Sequence, residues 1–452
     1  MSGLNEIEYR DLQDKTKSPD LKQELALDHT LCPLVKSASP HTGYRSLCWS
    51  PLGGDSLGRC ILTTLSHDHR LLIHSTKDSQ STWNMVADLS SLYLESTEWK
   101  TGDQIDIDGL KIKMNSVSAL EMAWTTTCTD WTSICSTEAA ILSVAMRNGD
   151  ILLWSIKFPC QSQKDCTLLK KLTLTAAYPS GIAWSQTPVT MAKGKTVDYM
   201  AVGYQNGSVI LTGVSLQDGD IVSSLTLHDE KDLLAVTNIN MKMISQDQLL
   251  VLFAKEYYLM AYIVKITDGK MCLLHSTHIL VETSLDITAV CYKDKTLLVS
   301  TCDGFLFKGS VNVSNKGVSI SLKQWNTDFT TTNDNNTWQC YGVDVSDNIM
   351  LIGAIISSER KDLGTFKVKM FRKPMELHIQ PLLQTSDELE DSQRRVETAM
   401  NNKTVPLTWM VDVMETFRIH LWQGKDLAST VTTHISNPAS WYTLPLKILR
   451  VL

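Results

Sequence analysis

Three absences narrow the reading of this chain before any motif is found. No apolar run is long enough to cross a bilayer. The longest, residues 249–264, is broken by Lys255 and Glu256 and reads as a hairpin. No Cys-x-x-Cys pair occurs. The eleven cysteines are an odd number, and several (Cys48, Cys60, Cys291) sit inside apolar runs. That usage fits reduced core thiols in a cytosolic or nuclear protein. No excess of basic charge exists either: 42 Lys and Arg stand against 49 Asp and Glu, a net charge of −7. Such a balance argues against an extended phosphate-binding surface. The first twenty-odd residues are polar and charged, so no secretory signal is expected, and the Asn-x-Ser/Thr matches at Asn206, Asn312, Asn335 and Asn402 read as chance.

Catalytic motifs are also missing. The chain has no Gly-x-Ser-x-Gly elbow, no Gly-x-Gly-x-x-Gly loop and no Gln/Arg-x-x-Gly-x-Gly/Ala acetyl-CoA loop. Gly194-Lys195-Thr196 resembles the end of a phosphate-binding loop, but Val189 stands where that loop needs its first glycine. Asp106, Asp108 and Gly109 look like half a calcium loop. Its first and twelfth positions would be Gln104 and Asn115, which lack the charge to hold the ion. His67 and His69 flank Asp68 in a polar turn, with no Cys or carboxylate cluster at zinc spacing beside them. No catalytic, cofactor-binding or metal-binding residue is assigned, and no cofactor is expected.

What the chain does have is a repeat. Residues 43–75 (GYRSLCWSPLGGDSLGRCILTTLSHDHRLLIHS) read as three short strands with two loops. The unit returns at Trp124, residues 140–145 and 151–154. It returns again at Trp184, residues 199–203 and 209–211, and at 287–290, 296–300 and 305–307. Weaker copies start near Val236 and Tyr341. Asn148-Gly149, Asn206-Gly207 and Asp303-Gly304 fall at the same place in each unit. They predict hairpins with type I′ turns, which need positive φ at both central residues.

Repeats about 52 to 75 residues apart, of short strands, predict an all-β fold: a WD-repeat-like β-propeller spanning 23–376. The usual Gly-His and Trp-Asp pairs of WD repeats are absent. Six repeats are countable, and a seventh blade is expected, divided between an N-terminal strand in 25–35 and residues 76–117. The latter stretch reads as an outer strand plus an insertion. A mobile charged tail is expected over 1–22 and a helical extension over 377–452. Within that extension, Thr385 and Glu388 match a capping box before a helix at 387–401. Leu407, Met410, Val411, Met414, Phe417 and Leu421 then recur at helical spacing. Trp49, Trp124, Trp154 and Trp184 occupy repeat positions and are read as core. On that reading Trp49→Ala should lose about 3 to 5 kcal/mol if the ring is buried between blades.

The opening stretch is more specific than its pattern. Gly43-Tyr44-Arg45, then Trp49 to Gly53, Gly58-Arg59-Cys60 and Asp68-His69-Arg70-Leu71 follow in order. Together they resemble the N-terminal propeller of the propeller-bearing subunit of general transcription factor IIIC. Looser similarity covers roughly residues 40–425. The resemblance implies a nuclear, non-catalytic scaffold that bridges the other factor subunits and RNA polymerase III initiation factors at transfer-RNA-type promoters. DNA would be reached only through the complex, and no membrane is involved. The family is also credited with histone H3 acetyltransferase activity, which is one alternative; a propeller adaptor of another assembly is the other. The family's zinc-binding tail has no counterpart here, since no cysteine follows Cys340.

Overall fold

A computed structural model describes residues 43–76, 82–97, 107–125, 139–191, 194–230, 232, 234–281, 286–325 (without 294 and 315–316), 336–346, 351–360 and 375–382. Six antiparallel sheets follow one another in chain order. The first holds β1 (Tyr44–Trp49), β2 (Leu62–Ser66), β3 (Leu71–Thr76) and β4 (Trp83–Asp88). The second holds β5 (Ala119–Trp124), β6 (Ala139–Met146), β7 (Asp150–Lys157) and β8 (Cys166–Thr173). The third holds β9 (Pro179–Trp184), β10 (Val189–Thr190), β11 (Thr196–Tyr204), β12 (Val209–Ser215) and β13 (Ile221–His228). The fourth holds β14 (Val236–Met243), β15 (Gln248–Lys255), β16 (Tyr258–Thr267) and β17 (Lys270–Leu280). The fifth holds β18 (Ile287–Lys293), β19 (Thr296–Thr301), β20 (Leu306–Ser314) and β21 (Gly317–Gln324). The sixth holds β22 (Asn336–Val345), β23 (Leu351–Arg360) and β24 (Met375–Pro381). Sequential meanders of this kind are the blades of a β-propeller.

The chain forms two compact units. The first comprises residues 1–129, 135–252 and 262–274; the second comprises 130–134, 253–261 and 275–452. In the first unit, β6 shows why the central strands read as unbroken apolar runs. Ala140, Leu142, Val144 and Met146 pack towards the first sheet, on Leu65, Leu71 and Ile73. Ile141 and Ala145 pack towards the third, on Trp184, Met200 and Val202. A strand buried on both faces has no polar side to alternate with. In the second unit, Cys291, Leu298 and Leu306 of the fifth sheet pack on Val343, Ile352, Ala354 and Ile356 of the sixth.

Between β4 and β5 the described residues hold two helices. They are α1 (Leu89–Ser96) and α2 (Ile107–Val117). Asp88 caps α1 by accepting from the Ser91 amide at 3.0 Å, and the same carboxylate pairs with Arg70 at 2.9 Å. The strand sought in 25–35 and the helices sought at 387–401 and 407–421 lie outside the described residues. Six blades stand among the described residues rather than seven, because β4 completes the first sheet.

The hairpin turns are of a different type from the one expected. In each, the glycine amide donates to the residue three before it: Gly149 to Met146 at 2.9 Å, Gly207 to Tyr204 at 3.1 Å, and Gly304 to Thr301 at 3.0 Å. Only the glycines have positive φ (91°, 91° and 86°); Asn148, Asn206 and Asp303 do not. The central residues therefore sit one place earlier, and the glycine is the left-handed residue that follows a type I turn. The first blade uses the same device without glycine. His69 donates to Ser66 at 3.0 Å and takes φ 63°.

Candidate interaction surface

The tryptophans organise the first unit by a repeated contact. Trp124 closes β5, and its indole N–H donates to the Thr63 hydroxyl on β2 at 3.2 Å. Trp184 closes β9, and its indole N–H donates to the Ser143 hydroxyl on β6 at 2.9 Å. Each tryptophan thus reaches from the first strand of its blade to the second strand of the blade before. The residue after each one also has a fixed task. Thr125 accepts from the Ile141 amide at 3.2 Å, as Ser50 does from Ile61 at 2.9 Å; Ser346, after Val345 at the end of β22, accepts from Leu351 in the same way at 2.9 Å. At Ser185 the hydroxyl instead donates to Asp198. These tryptophan–hydroxyl steps tie blade to blade and strand to strand. Trp154 is buried as well, on β7 between the first two sheets.

Trp49 departs from the expectation. It closes β1 in the position of Trp124 and Trp184, yet it is 56% exposed. It lies 5.6 Å, centroid to centroid, from Trp83 of β4, which is itself 48% exposed. The ladder explains the juxtaposition. Trp49 pairs with Leu62, Leu62 with His74, and His74 with Met85, so these four share one face. Leu47 and Trp83 belong to the same face, and Leu47, Trp49, Trp83 and Met85 are all exposed. The opposite face, through Ile73 and Ala87, is the one buried against the second sheet. In the second unit, Ile355, Met375, Leu377 and Ile379 form a further exposed apolar face on the sixth sheet.

The other sequence features resolve as structure. The backbone of Gly194 to Thr196 makes the turn between β10 and β11, with Gly194 at φ 75° and Lys195 paired to Asp218 at 2.9 Å. It is a hairpin and not the strand-loop-helix of a phosphate site. Asp108 and Gly109 lie in the first turns of α2, so no calcium loop forms there; Asp106 lies outside the described residues. His69 places Nδ1 2.7 Å from the Ala119 carbonyl oxygen, and burial pushes its pKa below the ordinary imidazole value. Among the described residues, no three His, Cys, Asp or Glu side chains come together to hold a metal ion. No described helix is long and apolar enough to cross a membrane. No disulfide joins any two of the eight described cysteines.

Sequence reasoning passed over Glu121 on β5. Burial pushes its carboxyl up to about 7, although Arg45 Nε, 3.9 Å away, pulls the other way. The folded state therefore binds a proton that the unfolded chain releases near pH 4.5. Its stabilising contribution is complete below that value and is lost as pH rises to about 7. Glu121→Gln should therefore raise stability by about 1 to 3 kcal/mol at pH 8, and the gain should shrink towards zero below pH 4.5. Urea melts of both proteins across that pH range check it.

Six meandering antiparallel sheets in chain order define the chain as a β-propeller. The sequence matches the transcription factor IIIC subunit delta β-propeller domain over residues 12–359. That is more than half of its length, and the chain belongs to this family. Among curated relatives, General transcription factor 3C polypeptide 4 of Mus musculus is 24% identical over 184 residues, and that of Homo sapiens is 25% identical. Each match covers 37% of this chain and 22% of the relative, so the matched part is about a fifth of those proteins. Among solved structures, Saccharomyces cerevisiae Sqt1 aligns with a TM-score of 0.41 at 12% identity, over 76% of both chains. Chaetomium thermophilum Sqt1, bound to the N-terminus of ribosomal protein L10, aligns at 0.40 and 11%, over 69% of this chain and 71% of the other. These two likenesses are too distant to carry an argument.

Proposed function

We propose that this chain is a non-catalytic scaffold subunit of transcription factor IIIC, acting in the nucleus. It bridges the other subunits and the RNA polymerase III initiation factors at transfer-RNA-type gene promoters. The observation that carries this reading is the family match, which takes in five of the six blades and most of the sixth. The net charge of −7 supports protein partners over the phosphate backbone, so DNA is reached through the assembled factor. The repeated indole contacts support a rigid platform rather than a moving catalytic part. A tagged full chain recovered from nuclear extract should bring down the other transcription factor IIIC subunits, identified by mass spectrometry. Soluble, folded bait that recovers none of them would overturn the assignment.

A further inference from the structure

Two buried thiols meet in the loop between β7 and β8. Cys160 and Cys166 place their sulfurs 3.9 Å apart, and the two residues are 2% and 5% exposed. Their spacing in sequence does not announce the pair, since five residues between cysteines is neither a zinc nor a redox signature. The fold brings them together from two sides. Cys166 pairs with Ile156 on the β7–β8 ladder, so the hairpin anchors it. The Cys160 amide donates to the Gly54 carbonyl at 2.8 Å, in the loop between β1 and β2. Phe158, two residues earlier, stands 6.1 Å from Trp124, centroid to centroid. The turn between the cysteines is held by Asp165, whose carboxylate accepts from the Gln161 and Ser162 amides at 3.0 and 2.9 Å. Two thiols are thus held in contact at the joint between the first and second sheets.

We propose that Cys160 and Cys166 are a reversible oxidation site, closed to a disulfide by hydrogen peroxide. The sulfurs must approach by about 2 Å, a shift of the size that rotation about the Cα–Cβ bonds supplies. With Cys166 as donor, the hydrogen bond between them draws the Cys160 thiol below its ordinary pKa against the effect of burial, and raises that of Cys166. Cys160 is therefore the attacking group. Its thiolate attacks one peroxide oxygen, the O–O bond breaks, and the departing hydroxide leaves as water with the proton that Cys160 gave up. Cys160 is then a sulfenic acid. The Cys166 sulfur attacks it, the S–S bond forms as the S–O bond breaks, and the second hydroxide leaves as water with the Cys166 proton. Two thiols and one peroxide become one disulfide and two waters, and two electrons pass from sulfur to oxygen. Peroxide reaches the pair through the turn. Gln161 and Lys164 are exposed, and opening of residues 161–165 bares both sulfurs while the ladder from Asp150 to Ile156 stays paired. The ring closed from Cys160 to Cys166 is short, so it constrains the unfolded chain little and is undone without unfolding the blade. What it fixes is local: the Cys160 end of the turn, and with it the Gly54 contact to the first sheet. Cys291 is the contrast. Its thiol faces an Asp344 carboxylate oxygen at 3.3 Å, and burial together with that charge pushes it up to about 12.

The test is peptide mapping of the full wild-type chain after brief exposure to hydrogen peroxide, with remaining thiols alkylated in denaturant. Trypsin cuts after Lys157, Lys164 and Lys170, so the two cysteines fall in separate peptides, 158–164 and 165–170. Peroxide should join these two peptides several-fold above the untreated chain, while Cys291 stays open to alkylation, and dithiothreitol should release them. Peptides that stay alkylated, or that join only at doses that also consume Cys291, would overturn the proposal. So would a sulfinic or sulfonic acid on Cys160 beside an alkylated Cys166, or Cys160 joined to a different cysteine. Cys166→Ser separates the roles: with its partner gone, Cys160 should stop at the sulfenic acid and be trapped by dimedone. A dimedone adduct on Cys166 in Cys160→Ser, with none on Cys160 in Cys166→Ser, would overturn the order of attack.

Discussion

Trp184→Ala should lower the unfolding free energy by about 3 to 5 kcal/mol, with Trp184→Phe losing roughly 1 to 2. The indole is 3% exposed and is packed among Ile141, Leu153, Met200 and Val202. Truncation to alanine removes that packing and leaves a cavity between two sheets that are each pinned by backbone ladders. Such sheets collapse poorly onto a void, which places the expected loss in the upper part of the range for large core residues. The hydrogen bond adds a smaller share. Ser143 also donates to the Ala123 carbonyl at 2.9 Å, so its hydroxyl keeps one partner when the indole is gone. Phenylalanine keeps most of the ring and loses only the N–H, hence the smaller effect. Urea melts at unchanged slope would measure both. Trp49→Ala in the same experiment separates the two environments. If Trp49 stays in water, its loss should be below 1 kcal/mol. A Trp184→Ala loss below about 1 kcal/mol would show that the indole contact between blades contributes little.

The second large effect is expected at Gly149→Ala, about 2 to 4 kcal/mol. Two costs coincide there. The residue sits at φ 91°, which an L side chain adopts only with strain. A Cβ at this position would also stand 2.0 Å from the Thr175 carbonyl oxygen and 3.0 Å from that of Ala177. Both obstacles are backbone, so relief needs a shift of the chain after β8 rather than a side-chain rotation. Gly194→Ala is the control. Gly194 has φ 75°, and a Cβ there would meet nothing within 4 Å, so it should lose only about 1 kcal/mol. The difference between the two variants measures the steric share. Equal losses would show that the turn shifts freely.

Much of the architecture is legible in the sequence, and the exceptions have physical reasons. The apolar runs at 140–145 and 199–203 mark the central strands, because burial on both faces leaves an unbroken pattern. Trp124 and Trp184 read correctly as core. Trp49 did not, since its local sequence, Trp followed by Ser, is the same as at Trp184. What differs is the element in front of it in space, which no local pattern encodes. The turn type was misread for a related reason: Asn-Gly suits a type I′ turn and also a type I turn closed by a left-handed glycine. His69 shows the limit further, standing at a left-handed position with no glycine to announce it. The raised pKa of Glu121 depends on packing between β5 and β1, seventy-odd residues apart, and leaves no local trace. The family resemblance was legible because the ordered motifs from Gly43 to Leu71 are more specific than the strand pattern around them.

The indole bonds that run from the second sheet to the first and from the third to the second have a consequence for how such a chain is cut or extended. A unit excised between two neighbours takes away one acceptor hydroxyl and strands one donor, so the damage falls on the unit left behind. Removal of the second sheet would orphan Trp184 while leaving Thr63 unused. Swapping or duplicating repeats in this domain should therefore respect a module that begins with the hydroxyl-bearing second strand of one unit and ends with the tryptophan of the next. The natural module is offset from the visible sheet by one strand.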